Sequence, residues 1–191
     1  MLKGEKVLLR AVQREDLPLL CAFNNDLELE LAGGGDPPLP QSLARLQAEF
    51  DERTAKGGRD GAAFAIEAAG QLIGQCALFS FHEMNQTCEL GIGIGEKTFW
   101  GRGYGSETIR LLLDWAFRLR NVRKVWLTTQ SNNERGLLCY RACGFVEEGR
   151  LRAHVWSAGE YVDLLYMGIL RDEWQKSSSP SKVPEARDQQ T

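Results

Sequence analysis

The chain has 191 residues, enough for one domain with a proper core, and its 43% hydrophobic and 26% charged residues are those of an ordinary globular protein. A net charge of −3, from 23 Lys and Arg against 26 Asp and Glu, argues against a nucleic-acid partner, because a binder of phosphate backbones presents a basic surface. There is no run of 18 apolar residues, and MLKGEKVLLR lacks the apolar stretch of a secretory signal, so no membrane partner is expected. The five cysteines, Cys21, Cys76, Cys88, Cys139 and Cys143, are odd in number and none is in CxxC spacing. They read as free thiols of a cytoplasmic protein. With only two histidines, His82 and His154, no metal is expected.

In chain order, residues 6–10 (KVLLR) predict a first strand. A helix follows over 15–24, with Pro18 tolerated in its first turn. In NNDLELELAGGGDPPLP, Gly33, Gly34, Gly35, Pro37, Pro38 and Pro40 mark a loop. Leu39, Leu43, Leu46 and Phe50 recur at helical spacing, so a second helix spans about 42–56 and stops at Gly57-Gly58. Strands at 62–68 and 71–81 flank a turn at Ala69-Gly70, and 88–94 (CELGIGI) is the next strand. A strongly amphipathic helix then sets Ile109, Leu112, Leu113, Ala116 and Leu119 on one face. Residues 125–129 (VWLTT) form a short strand, and 133–142 a helix ended by Cys143-Gly144. Residues 145–155 and 161–169 form a hairpin about Ala158-Gly159. From Lys176 onward no apolar periodicity remains, which predicts a disordered tail. The order β-α-α-β-β-β-α-β-α-β-β is that of a single α/β domain with a mixed sheet.

The stretch TFWGRGYGSETIR at 98–110 places Gly101, Gly103 and Gly105 where a helix begins. Glycine there is entropically unfavourable, so something must require a bare backbone. An anion that approaches several N–H groups is the usual reason. A P-loop is excluded because no GxxxxGK[ST] is present. Residues 101–106 give GxGxxS, one residue short of the dinucleotide fingerprint, and the next strand has no carboxylate for a ribose.

Placed after a strand and before an amphipathic helix, WGRGYGSE resembles the acyl-CoA pyrophosphate loop of the GNAT N-acetyltransferase family. The family pattern Arg/Gln-x-x-Gly-x-Gly/Ala puts its two glycines on Gly103 and Gly105, and its leading Arg/Gln on Trp100. Tryptophan there resembles the branch that holds the ribosomal-protein N-terminal and spermidine acetyltransferases. A second stretch, Asn133 to Phe145 (NERGLLCYRACGF), is similar to the family's Asn-x-x-Ala-x-x-x-Tyr-x-x-x-Gly-Phe. Gly136 stands where the family has Ala, which lowers intrinsic helix stability by roughly 1 kcal/mol. The resemblance runs from about Lys6 to Trp174. It implies one N-acetyltransferase domain over 1–174, followed by a tail at 175–191. The implied fold is a mixed, mostly antiparallel twisted sheet flanked by helices, with a splayed strand pair that binds acyl-CoA.

The resemblance also implies roles. Acetyl-CoA is the cosubstrate, its pyrophosphate held by Trp100, Gly101, Arg102, Gly103, Tyr104, Gly105 and Ser106 and by the dipole of the following helix. Its pantetheine arm pairs with Ile92 and Ile94 as an added strand, while Gly91 and Gly93 keep that surface clear or mark a β-bulge. Tyr140 donates a proton to the departing thiolate, and Asn133 bonds the cofactor arm or a water. Glu89 matches the carboxylate that relatives use as base. A solvated strand-end glutamate is its alternative, and His82 and His154 are the other candidates. Glu107 supports the helix N-terminus.

The acceptor, a polyamine, another small amine or a protein N-terminus, is expected over residues 24–40, the 82–87 turn and the 155–161 turn. Asp26, Glu28, Glu30 and Asp36 form an acidic run that suits a polyamine or basic peptide end, or is simply a solvated loop. Two functions remain open at this point: an active N-acetyltransferase attacking the thioester directly, and a non-catalytic acyl-CoA-binding sensor. Homodimers are common in the family this chain resembles.

Overall fold

The computed structural model describes residues 1–32, 39–56 and 61–178. The first half of the chain forms β1 (Leu2–Lys3), β2 (Leu8–Ala11), α1 (Leu17–Asn24), α2 (Leu27–Ala32), α3 (Leu43–Lys56), β3 (Ala62–Ala68), β4 (Gln71–His82) and β5 (Thr87–Ile94). The second half forms α4 (Tyr104–Asp114), β6 (Lys124–Gln130), α5 (Glu134–Ala142), β7 (Val146–Ser157), β8 (Glu160–Leu170) and α6 (Arg171–Ser178). The expected glycine- and proline-rich loop at 33–38, the helix stop at Gly57-Gly58, and the expected tail beyond 178 lie outside the described residues, while 175–178, expected in that tail, instead close α6 as helix.

One eight-stranded sheet has the order β1-β2-β3-β4-β5-β6-β8-β7. Every neighbouring pair is antiparallel except β5–β6, which is parallel because α4 carries the chain across between them. This is the mixed, mostly antiparallel sheet that the element order and the resemblance imply. The two predicted tight turns are present. Ala69 (φ 50°) with Gly70 (φ 77°), and Ala158 (φ 51°) with Gly159 (φ 94°), supply the two left-handed residues of such hairpins.

One sheet face is packed under α4 and α5. From the strands it presents Cys88, Leu90, Val125, Leu127, Leu165, Met167 and Ile169, and from α4 Ile109, Leu112 and Leu113, all buried in one cluster. Burying a side chain of this kind stabilises by about 1.5–3 kcal/mol, so this cluster is what holds the helices to the sheet. On the other face α1 buries Leu17 and Leu20, and Phe23 lies so close to Gly95 that a Cβ there would sit 2.1 Å from its ring. Asn24 Nδ2 donates to Gln41 Oε1 (2.7 Å) and Asn25 Nδ2 to the Gln41 carbonyl (2.9 Å), tying the entry of α3 to the end of α1.

The structure corrects two expectations here. Residues 27–32 form α2 rather than loop, because the Asp26 carboxylate accepts from the Glu28 and Leu29 amides (3.0 and 3.4 Å) and caps a turn. Leu119 is not on the apolar face of α4 but 69% exposed. The helix passes into a π turn at Trp115–Leu119, whose wider winding rotates the face and buries Phe117 instead.

Candidate active site

The site begins where two strands part. β5 pairs with β4 along its whole length to Gly74↔Ile94, but with β6 only from Thr87↔Lys124 to Glu89↔Trp126. Beyond Glu89 the parallel strands separate. The Gly95 amide donates to the Ile73 carbonyl (2.8 Å), on the β4 side. Strand alternation therefore turns the backbone groups of Ile92 and Ile94 into the gap. The Ile94 carbonyl is taken there by the Trp100 indole N–H (2.7 Å), while the Ile92 groups and the Ile94 N–H face it. Gly91 has the Phe79 ring 3.1 Å from where a Cβ would lie, and Gly93 has open space.

At the mouth of this gap lies the glycine loop. Gly101 (φ 67°) and Gly103 (φ 87°) adopt left-handed conformations, and Gly103 is the N-cap of α4 with no side-chain cap. A left-handed backbone favours glycine for lack of a Cβ clash, which answers why the glycines are there. The first-turn amides of Tyr104, Gly105 and Ser106 have no acceptor among the described residues. Three orphan donors at a helix N-terminus are a ready anion site. Positive charge gathers around it. Lys6 Nζ donates to the Arg102 carbonyl (3.1 Å) and sits 5.8 Å from the Tyr104 ring centre. Arg102 itself donates back to the Thr98 carbonyl (3.2 Å). Trp100, where the family pattern has Arg or Gln, carries the Arg135 guanidinium 3.5 Å over its ring centre. Glu107 accepts from the Lys6 and Val7 amides (2.8 and 3.3 Å), so it ties the loop's helix to the entry of β2.

Tyr140 and Glu89 lie on opposite faces of the sheet. Tyr140 is on α5, only 9% exposed and packed edge-on to Phe145 at 6.2 Å, within the cluster under α4 and α5. Burial, and then charge on Cys139, push its phenol up to about 12. Glu89 alternates with the core residues Cys88 and Leu90 and so points to the other face, half-buried. Burial raises its carboxyl above the usual range, and a hydrogen bond from Ser80 partly offsets this. Asn133 is the N-cap of α5. Its Oδ1 accepts from the Gly136 amide (3.0 Å) and its Nδ2 donates to Thr129 Oγ1 (3.0 Å).

Other candidates take plainer places. His82 is exposed, its Nδ1 accepting from the Asn85 amide (3.2 Å) in the β4–β5 turn, and His154 is exposed on β7. Asp26 and Glu28 both pair with Lys97 (2.8 and 2.7 Å), which joins α2 to the turn before the glycine loop. Burial raises the Glu30 carboxyl, while Asp36 lies outside the described residues. Sequence reasoning missed the Arg135–Trp100 stack, for which no spacing rule exists. It also missed a thiol cluster at the loop, of which the four-residue spacing of Cys139 and Cys143 was the available signal. Among the described residues no three or more His, Cys, Asp or Glu are grouped to hold a metal ion, and no helix is long and apolar enough to cross a membrane.

The profile of the acetyltransferase (GNAT) domain matches residues 6–146, a span that holds the splayed strands, the loop and Tyr140. The chain belongs to the GNAT acetyltransferase family. This GNAT chain is 27% identical over 176 residues to a spermidine N(1)-acetyltransferase of Vibrio cholerae, covering 92% of the chain and 99% of that relative. It is 30% identical over 106 residues to a putative ribosomal N-acetyltransferase of Bacillus subtilis, covering 56% and 57%. Its fold superposes on a spermidine N-acetyltransferase of Vibrio cholerae in complex with CoA and spermine, with a TM-score of 0.81, 26% identity, and 90% and 99% of the two chains covered. A spermidine N-acetyltransferase of that species has also been solved as a dodecamer. The chain is thus an acetyl-CoA-dependent N-acetyltransferase, and of the two functions left open by the sequence the enzyme is the one supported.

Proposed function

We propose that this enzyme acetylates a polyamine-type primary amine, with Glu89 and Tyr140 acting from the two sides of the splayed strands. What supports this reading is the gap that opens beyond Glu89, with the unpaired amides of the loop at its mouth and the proton-bearing Tyr140 on the opposite sheet face from Glu89. The acceptor class follows a relative, a spermidine N(1)-acetyltransferase, whose similarity spans nearly both chains.

Acetyl-CoA supplies an acetyl group activated as a thioester. The amides of Tyr104, Gly105 and Ser106, with the α4 dipole, hold its pyrophosphate, and Gly101 and Gly103 let the backbone come close. Trp100, Arg102 and Arg135 line that loop. Ile92 and Ile94 offer strand-edge groups to the pantetheine arm, over the bare surface of Gly91 and Gly93. An alkyl ammonium has a pKa near ~10, so its proton must be removed before attack. Glu89 accepts it. Burial lifts this carboxylate and also weakens a desolvated ammonium, so the two affinities approach each other. Tyr140 keeps its proton at every working pH. Full transfer from a phenol near 12 to a thiolate of pKa about 8.5 is uphill by about 5 kcal/mol. The phenol therefore works as a hydrogen-bond donor to the departing sulfur; of the two protons the ammonium nitrogen loses, one completes the thiol and the other passes through Glu89 to water. Asn133 fixes the start of α5, and with it Tyr140, and offers its second amide hydrogen to the cofactor arm.

We place the enzyme in the cytoplasm, where its five free thiols stay reduced, as a homo-oligomer like its dodecameric relative. The test is release of CoA thiol from acetyl-CoA with spermidine, spermine, aminoglycosides and N-terminal peptides in parallel. Turnover on the polyamines above the other arms is expected. Turnover confined to peptides would move the acceptor to a protein N-terminus.

A further inference from the structure

Beneath the glycine loop two thiols and a hydroxyl meet. Cys139 Sγ lies 3.3 Å from Ser106 Oγ and 3.4 Å from where a Cβ on Gly105 would be. Cys143 Sγ donates to the Ser106 carbonyl (3.5 Å). The pair thus joins α5 to the first turn of α4, beside Gly105 and Ser106, the residues that carry two of the unpaired amides. Cys139 is partly exposed and Cys143 buried. The Cys143 thiol, the Ser106 hydroxyl and the Arg110 charge all favour a thiolate at Cys139 and outweigh burial, holding it below the usual thiol range. Cys143, as the proton-bearing partner, is pushed the other way, and burial pushes the Cys76 and Cys88 thiols up, Cys88 to about 12. Cys21, the other partly exposed thiol, sits on α1 and donates to the Gln41 carbonyl (3.4 Å).

We propose that the Cys139–Cys143 pair is a thiol–disulfide exchange site for small anionic disulfides, and that its adduct and the cofactor pyrophosphate exclude one another. The Cys139 thiolate attacks one sulfur of the small disulfide R–S–S–R. A Cys139–S bond to that sulfur forms, the original S–S bond breaks, and R–S⁻ leaves and takes a proton from water. Cys139 is oxidised and the leaving half is reduced, so no further oxidant is needed. The Ser106 hydroxyl, 3.3 Å away, steadies the attacking sulfur by hydrogen bonding. The anionic group of R then reaches the same unpaired amides that receive the pyrophosphate, which gives the site its charge preference. The exclusion rests on the reading of this loop as the pyrophosphate site.

The experiment uses the full chain with oxidised glutathione as the probe, intact mass and peptide mapping as the first readout, and calorimetric CoA binding as the second. Cys139, partly exposed and with the Ser106 hydroxyl 3.3 Å from its sulfur, should react faster than the buried cysteines. A single adduct at Cys139 is expected, reversed by dithiothreitol and slowed about tenfold or more by saturating CoA. The cationic disulfide cystamine should react more slowly than glutathione disulfide. The adduct should weaken CoA binding at least about tenfold, while Cys139→Ser, or Cys139→Ala if serine misfolds, gives no adduct and binds CoA normally. An adduct at another cysteine, a faster reaction with cystamine, or an adduct that binds CoA as the free protein does would overturn the proposal. An unmodified chain that binds no CoA would instead overturn the reading of the loop, and the mutual exclusion with it, while the adduct position and charge order still report on the thiols.

Discussion

Gly136→Ala sets two effects against each other, and the structure decides the sign. Alanine in place of glycine inside a helix ordinarily stabilises by about 0.5–1 kcal/mol. Gly136 is the third residue of α5, however, and a Cβ there would lie 2.3 Å from Asn133 Nδ2 and 2.8 Å from its Cγ. The Asn133 side chain must swing away. It then loses its cap bond to the Gly136 amide, worth about 1 kcal/mol, and its bond to Thr129 Oγ1, worth about the same. Thr129 is 1% exposed, so its hydroxyl finds no easy substitute in water. The net expectation is destabilisation by about 1–2 kcal/mol, or a fall in Tm of about 3–6 °C for a chain of this size. Thermal and urea unfolding measure it. In an Asn133→Ala background both bonds are already gone, so the same change should stabilise by about 0.5–1 kcal/mol. Gly136→Ala raising the Tm of the otherwise native chain would refute the reasoning.

Asp16 is 8% exposed, takes two bonds from Arg10 (2.7 and 2.9 Å) and accepts the Gln13 amide (2.7 Å). The bond from Arg10, before the Gln13 amide, holds its carboxyl below the usual range against the opposing effect of burial. Its contribution is present above the unfolded carboxylate pKa and is lost as pH falls through the lower folded one. Asp16→Asn should therefore cost about 2–3 kcal/mol at neutral pH in urea melts, with the gap to the unsubstituted protein closing in acid. Glu89 has the opposite sign. Its raised carboxyl favours the protonated folded state, so stability is lost as pH rises through the folded pKa. Glu89→Gln should match the unsubstituted protein in acid and exceed it at neutral pH. Its acetylation rate should drop by about 10²–10⁴-fold and lose the acidic limb of its pH profile. An unchanged pH–rate profile removes Glu89 as the base.

Most of the fold was legible because its elements announce themselves locally. KVLLR, VWLTT and the Ala-Gly turns carry strand and hairpin signals, and Ile109, Leu112 and Leu113 trace a helical face. Leu119 was misplaced because periodicity assumes constant winding, and nothing local to that residue declares the π turn. α2 was hidden because LELELA alternates like a strand, and only the Asp26 cap tips it to helix. The need for glycine in the loop was legible from residue type alone, since the backbone at Gly101 and Gly103 is left-handed. Two features were not legible. The Trp100–Arg135 stack joins residues 35 positions apart by packing, and the Cys139–Ser106 contact joins α5 to α4 across the core. The glycine at 136 reads as a weak helix position from propensity, and as room for the Asn133 cap from the structure.

The central claim is that the gap between β5 and β6 holds a thioester beside the Tyr140 phenol. Tyr140→Phe tests it most directly, by measuring both CoA affinity and CoA release with spermidine. The phenol is buried but its hydroxyl has no hydrogen-bond partner among the described residues, so its loss should leave the fold and CoA affinity intact. Turnover should fall by about 10²–10³-fold, as for loss of one preorganised hydrogen-bond donor to developing charge, with KM for the amine little changed. Undiminished turnover in Tyr140→Phe, with CoA bound as before, would contradict the account.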